Sequence, residues 1–339
     1  MYRILSVFFV VLALASCGDS SGVQPAQSDA PATLNGPAWV PVSILLNWFP
    51  EAEHGGYFCA AVEGEFDKAG IGISIIPGGV NAGVVARVAS EQVTFGVCNA
   101  DDVIYGRAEQ ADVVVIFAPI QKSPRVIMVH EESPIDSFDK LTSVTLAMSK
   151  NRAFSLYLEK KFPLKDVQVV AYSGNVAQFL LNKNYAQQGY NFSEPFVAQK
   201  QGAKVRNLFV ADAGFNPYTS VLIVSRKYMD AHKETVARVV SACEAGWRRY
   251  GDDSKKTNEY IHSKNKQMDM DVLQFGASEL KPMVLTDETK QSGIGAMTAE
   301  RWDTLVAQME EIGAVGAGKV KASECFTTEF LKTKTPATE

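Results

Sequence analysis

The chain has no C-x-x-C, and its four histidines and five cysteines never cluster at metal-ligand spacing, so nothing in it reads as a structural zinc site. The Walker G-x-x-x-x-G-K, the nucleophile-elbow G-x-S-x-G and the metalloprotease H-E-x-x-H are all missing, and the Gly-Gly pairs at Gly55 and Gly78 lack dinucleotide-fingerprint spacing. Charge of one sign is also scarce. The 33 basic and 38 acidic residues are interspersed and leave −5 over 339 residues, so no basic stripe offers itself to nucleic acid. Beyond residue 15 no apolar run approaches the roughly 20 residues that span a bilayer. Together these absences point away from a metalloprotein, a nucleotide-driven machine and a hydrolase. No cofactor and no enzyme activity are expected.

The amino terminus shows where the protein works. Arg3 precedes an apolar run from Ile4 to Ala15, the length of a secretory signal core and too short to cross a membrane. It ends in Leu14-Ala15-Ser16-Cys17, which resembles the bacterial lipobox, making Cys17 the expected lipidated anchor at the bacterial cell membrane. Residues 18–38, rich in Ser, Pro, Ala and Gly, have little to bury and read as a disordered linker. The remainder of the chain is long enough for two α/β lobes facing the periplasm or the exterior. Cys59, Cys98, Cys243 and Cys325 remain after the anchor; a Cys243–Cys325 disulfide and buried free thiols are both compatible with export.

Short β-branched runs alternate with amphipathic stretches. Strands are expected at 42–46, 71–76, 94–97, 113–117, 126–130, 144–147, 167–171, 205–209 and 220–224, with helices at 56–69, 83–90, 100–110, 153–161, 176–183 and 195–201 between them. After Val224 the pattern is almost wholly helical, including 233–250, 270–280 and 299–312. Prolines at Pro119, Pro124 and Pro217 interrupt the pattern at two places suited to crossings between lobes. The economical division is a discontinuous first lobe, 39–121 with 219–331, a second lobe of 122–218, and a tail of 332–339.

The densest cluster of ligand-gripping residue types comes after the first strand: W-F-P at 48–50, then E-A-E-H-G-G-Y at 51–57. Rings, carboxylates and an imidazole at a strand's carboxyl end, with two glycines opening a helix, suit the capture of a small molecule. Trp48, Tyr57, Tyr190 and Tyr218 are candidate plates for a flat ligand. Asn99, Asp101, Asn175 and Glu194 are candidate hydrogen-bonding groups, and Gly55 offers close backbone approach at a helix start.

Read together, L-N-W-F-P-x-x-E-H-G-G-Y, F-G-V-C-N-A-D-D, Y-S-G-N, Q-G-Y-x-x-S-E-P and F-N-P-Y, behind an export signal with a lipobox, resemble bacterial substrate-binding proteins related to thiamine-pyrimidine biosynthesis proteins. The resemblance covers about 41–331. It implies a type II periplasmic-binding-protein fold: α/β, two-lobed, with mainly parallel sheets and a ligand cleft between the lobes. It also implies a monomer that delivers its ligand to an ABC permease and ATPase. Relatives carry sulfonates, nitrate, flavins or pyrimidines, and the W-F-P…H-G-G form is most similar to binders of a formylated aminopyrimidine, with Glu194 as the leading contact. The superfamily also holds single-turnover pyrimidine synthases that use a histidine six residues after a tryptophan, as His54 follows Trp48. Those carry a cofactor-binding lysine directly after the tryptophan, where this chain has Phe49, so no Schiff base forms there and His54 is expected to be a ligand contact.

Overall fold

Two five-stranded sheets organise the chain, and each has the same internal order. The first contains β1 (Val40–Leu45), β2 (Ile71–Ile76), β3 (Phe95–Cys98), β4 (Val113–Phe117) and β10 (Val221–Ser225), arranged β2-β1-β3-β10-β4. The second contains β5 (Arg125–His130), β6 (Thr145–Ala147), β7 (Gln168–Val170), β8 (Tyr185–Tyr190) and β9 (Val205–Phe209), arranged β7-β6-β8-β5-β9. The computed structural model describes residues 39–331. The export signal, Cys17 with its lipidation, the linker and the tail 332–339 lie outside the described residues.

The sheets are mixed rather than mainly parallel by neighbour pairing. β1 pairs parallel with β2 and β3, whereas β10 pairs antiparallel with β3 and β4. In the second sheet β6 pairs parallel with β7 and β8, and β5 pairs antiparallel with β8 and β9. The reversed strand in each sheet is the first one after the chain crosses from the other. β5 follows Pro124 and β10 follows Pro217, and the two crossings lie side by side through the antiparallel bridge of Ile120 with Thr219.

This topology places the site. Because the other four strands of each sheet point one way, their carboxyl ends share an edge with the amino ends of β5 and β10. Arg125 therefore lies opposite Tyr190, and Val221 opposite Cys98. Ligands of open α/β sheets bind at such an edge.

β3, β4 and β10 are buried along their whole length, which is why they read as unbroken apolar runs rather than alternating ones. Tyr185–Tyr190 is absent from the strands expected above, since Y-A-Q-Q-G-Y has no β-branched residue; it is nonetheless central in its sheet. The helix expected over 56–69 is two, Gly55–Val62 and Glu65–Lys68, broken at Gly64 with φ of 71°, a left-handed turn that glycine takes without strain. Behind the first sheet runs the helix Lys233–Asp252. It buries Val236, Val239, Val240, Cys243, Trp247 and Tyr250 at i, i+3, i+4 spacing. No helix among the described residues is long and apolar enough to cross a membrane.

Cys59, Cys98, Cys243 and Cys325 are all buried free thiols, so the Cys243–Cys325 disulfide is not formed. Cys243 packs with Trp247 and Tyr57, and Cys325 with Trp302 in a different part of the core. Burial pushes the Cys243 thiol well above its ordinary range and Cys325 up to about 12, so thiolate is scarce at neutral pH. Folded protein lacking the first 38 residues is expected to resist iodoacetamide and to take four labels once unfolded in guanidinium. Rapid labelling of the native state, read by mass spectrometry, would contradict this packing.

Candidate ligand-binding site

The carboxyl edges of the two sheets close on a cavity of about 20 Å3, room for a single water. Asn99 and Asp101 reach it from one side, Arg125, Phe154 and Tyr190 from the other, and Thr219 from the crossing. Asn99 caps the helix Ala100–Ala108, which begins directly after β3. Its Nδ2 donates to the Tyr190 hydroxyl at 3.2 Å, and its Oδ1 accepts from the Ser220 backbone N–H at 3.3 Å. One side chain thus ties the first sheet's edge, the crossing and the second sheet. Next to it, Asp102 forms an ion pair with Arg152 at 2.8 Å, a second tie across the gap.

Asp101 differs from its neighbour. It is only 5% exposed, and its Oδ1 has no hydrogen-bond partner among the described residues. Its pKa is raised to about 6, first by burial and then by Asp102, while Arg152 pulls it down. A buried carboxylate oxygen without a donor costs folding free energy, so a lone one lining a cavity is where a ligand's N–H belongs. Arg125 lies at the amino end of β5 between two rings, its guanidinium carbon 4.1 Å from the Tyr190 ring centroid and 4.9 Å from that of Phe154. The Tyr190 hydroxyl is pushed up to about 12 by burial and stays protonated.

Of the residues predicted from sequence, Asn99, Asp101 and Tyr190 meet at this cavity, and the rest do not line it. Tyr57 is fully buried, stands edge-on to Trp247 and Phe117, and donates its hydroxyl to the Ser220 carbonyl at 2.7 Å. Tyr218 is 1% exposed, with Arg301 over its ring at 3.7 Å and its hydroxyl accepting from the Thr298 N–H. Both are core residues, not ligand plates. Gly55 serves helix packing: a Cβ there would sit 2.1 Å from the Tyr250 ring. Trp48 is half-buried against exposed Phe49, at the same sheet edge but outside the cavity lining. Asn175 is exposed and its Oδ1 accepts from the Ala177 N–H, a local turn.

His54 is wholly buried and satisfied within its own loop. Its Nδ1 accepts from the Glu51 N–H at 3.4 Å, which places the proton on Nε2, facing Asn47 Oδ1 at 2.9 Å and Glu53 Oε1 at 3.0 Å. It braces the loop rather than touching ligand. Around it the acids accumulate. Glu51 is held well above the ordinary carboxylate range by burial, then by Glu53 and Glu194, with Arg125 opposing. The cavity itself is lined by one carboxylate, Asp101, and two guanidinium groups, Arg125 and Arg152.

Glu194 opens the helix Glu194–Lys200, and both its oxygens are occupied: Oε1 by the Tyr172 hydroxyl at 2.5 Å and Oε2 by the Tyr190 N–H at 2.8 Å. It positions Tyr190 rather than meeting the cavity. Glu194→Gln is expected to cost about 1–2 kcal/mol of stability, the scale of a lost charged hydrogen bond, and less than tenfold in ligand affinity. A thirtyfold affinity loss at unchanged melting temperature would return Glu194 to direct contact. Arg125, Arg152 and Phe154 were missed from sequence. Arg125 had one available signal, a charged residue directly after Pro124 at the head of an otherwise apolar strand.

Two curated relatives align over almost their whole length. The riboflavin-binding protein RibY of Chloroflexus aurantiacus is 21% identical, covering 97% of this chain and 97% of its own. A formylaminopyrimidine-binding protein of Halalkalibacterium halodurans is 19% identical, covering 91% and 93%. The fold is similar to that of the periplasmic aliphatic sulphonate-binding protein SsuA of Escherichia coli, with a TM-score of 0.63 at 15% identity over 88% of this chain and 97% of that one. It is also similar to the desulfurization enzyme DSZB, with a TM-score of 0.60 at 13% identity over 85% and 97%. The model of the family described as NMT1/THI5 like matches residues 51–254, more than half of the 339, and the chain belongs to that family.

Proposed function

We propose that this protein is the extracytoplasmic binding component of an ABC importer, and that it captures a flat nitrogen heterocycle at the edge shared by its two sheets. The unpartnered Oδ1 of buried Asp101, in a cavity walled by Tyr190, carries this reading. It needs an N–H donor, and an exocyclic amine or ring N–H of an aromatic ligand supplies one while the ring packs on tyrosine. An aminopyrimidine is our first ligand, in keeping with the formylaminopyrimidine-binding relative. Riboflavin is the second, because the riboflavin-binding relative, at 21% identity against 19%, is at least as similar and a flavin also presents a ring N–H. Sulfonates and nitrate have no N–H to give to Asp101 Oδ1.

The reaction class is capture, not catalysis. A cavity of about 20 Å3 is far below the roughly 300 Å3 of an ordinary ligand pocket, so the ties of Asn99 with Tyr190 and of Asp102 with Arg152 part to make room for ligand. In this reading residues 122–218 form one lobe, residues 39–121 with 219–331 the other, and Cys17 anchors the monomer by a lipid beside its permease and ATPase. A desulfurization enzyme shares the fold, but His54, the residue that would carry a synthase-like reaction, has both ring nitrogens engaged internally.

Thermal-shift measurements against an aminopyrimidine, riboflavin, ethanesulfonate and nitrate test the reading. A heterocycle at a hundredfold excess over its dissociation constant stabilises the fold by about 2.7 kcal/mol through linkage. A shift with ethanesulfonate or nitrate and none with either heterocycle overturns it.

A further inference from the structure

Arg125 is a charged side chain whose hydrogen-bond donors the fold does not use. Its guanidinium lies between the rings of Phe154 and Tyr190, lines the same cavity as Asp101, and makes no hydrogen bond or ion pair among the described residues. The other cation beside the cavity, Arg152, is already engaged by Asp102 at 2.8 Å. A guanidinium has five N–H donors in a fixed fork, and stacking on rings satisfies none of them. One small space therefore holds an acceptor without a donor, Asp101 Oδ1, and a donor set without an acceptor.

We infer that Arg125 is the specificity-determining residue of the cleft, donating to a neutral carbonyl oxygen of the ligand while Asp101 accepts from a ligand N–H. The acceptor is neutral rather than anionic because an anion reaching Arg125 would also meet the Asp101 carboxylate, which offsets the guanidinium's attraction for it. The ligand class is thereby narrowed to a heterocycle that presents N–H and C=O together, as a formamide arm or a lactam ring edge does. This inference rests on the heteroaromatic reading above.

The test pairs two ligands with two proteins in calorimetric titrations. The ligands are a formylaminopyrimidine and the same aminopyrimidine bearing a plain methyl group in place of its formylamino arm; the proteins are wild type and Arg125→Lys. Wild type is expected to prefer the formylated ligand by tenfold to a hundredfold. Arg125→Lys is expected to reduce that preference below about threefold by weakening the formylated ligand more than the methyl analogue, because lysine cannot reproduce the guanidinium fork. Arg125→Met, of similar reach and without a donor, repeats the comparison if the lysine variant melts early. If both ligands weaken equally, Arg125 only holds the Tyr190 ring in place, and the inference fails while the heteroaromatic reading stands. If wild type binds neither ligand but binds riboflavin, the formamide part of the inference fails while the heteroaromatic reading stands; if it binds none of the three, both fail.

Discussion

Asp101→Asn is expected to make the ligand-free protein more stable at pH 8 and a poorer binder. The folded pKa of Asp101 is raised to about 6 from an ordinary value near 4, so the folded state keeps a proton that the unfolded chain has already released. Between those values stability falls as pH rises, and the penalty is complete above pH 6 and absent below pH 4. Asparagine carries no charge to bury. The variant is therefore expected to gain about 1–3 kcal/mol at pH 8, with the gain shrinking toward zero as the pH is lowered to 4. The same substitution removes a charged acceptor from the ligand's N–H and is expected to cost about 1.5–3 kcal/mol of affinity, tenfold or more. Stability gained at the expense of function in this way marks a binding group rather than a structural one. Equal melting temperatures for variant and wild type at pH 8, read by calorimetry, would mean that Asp101 is not held as a buried unpaired carboxylate.

Gly56→Ala is expected to be strongly destabilising. The helix Gly55–Val62 and the helix Lys233–Asp252 touch through glycine on both sides. A Cβ on Gly56 would meet Trp247 ring carbons at 2.1 Å, and one on Gly246 would meet the Gly56 carbonyl oxygen at 2.3 Å. Trp247 is 1% exposed and has no free volume to retreat into, so the helices must separate. Overpacking of this kind costs about 3 kcal/mol, a fall in melting temperature of roughly 5–10 °C. Gly72→Ala is the control: its Cβ would meet nothing nearer than the Trp39 side chain at 3.5 Å, and a change within about 0.5 kcal/mol is expected.

These positions also show how far the sequence reaches. The strands at 71–76, 113–117 and 205–209 match the observed bounds because β-branched runs flanked by helix and turn residues admit few other readings. The pair Gly55 and Gly56 stood out as functional on chemical grounds, yet what demands them is an aromatic helix face nearly two hundred residues away, and nothing local reports that contact. The same holds for Tyr57 and Tyr218. Both come after residues that look like loop, and both are drawn inward by partners distant in the chain: Phe117 and Trp247 for the first, Trp302 and Arg301 for the second. Asn99 and Asp101, just after β3, and Tyr190, at the end of β8, were legible because topology alone fixes which edge those positions occupy. Arg125 occupies the same edge only because β5 runs backwards through its sheet, a consequence of the crossing rather than of any motif.

The most direct test of the account is a crystal structure of residues 39–331 with a formylaminopyrimidine or with riboflavin bound. The account predicts a heterocycle between the sheets against Tyr190, with a ligand N–H about 2.8–3.0 Å from Asp101 Oδ1 and His54 still hydrogen-bonded within its own loop. A ligand lying elsewhere on the protein, or one in the cleft that leaves Asp101 Oδ1 without a donor, would contradict it.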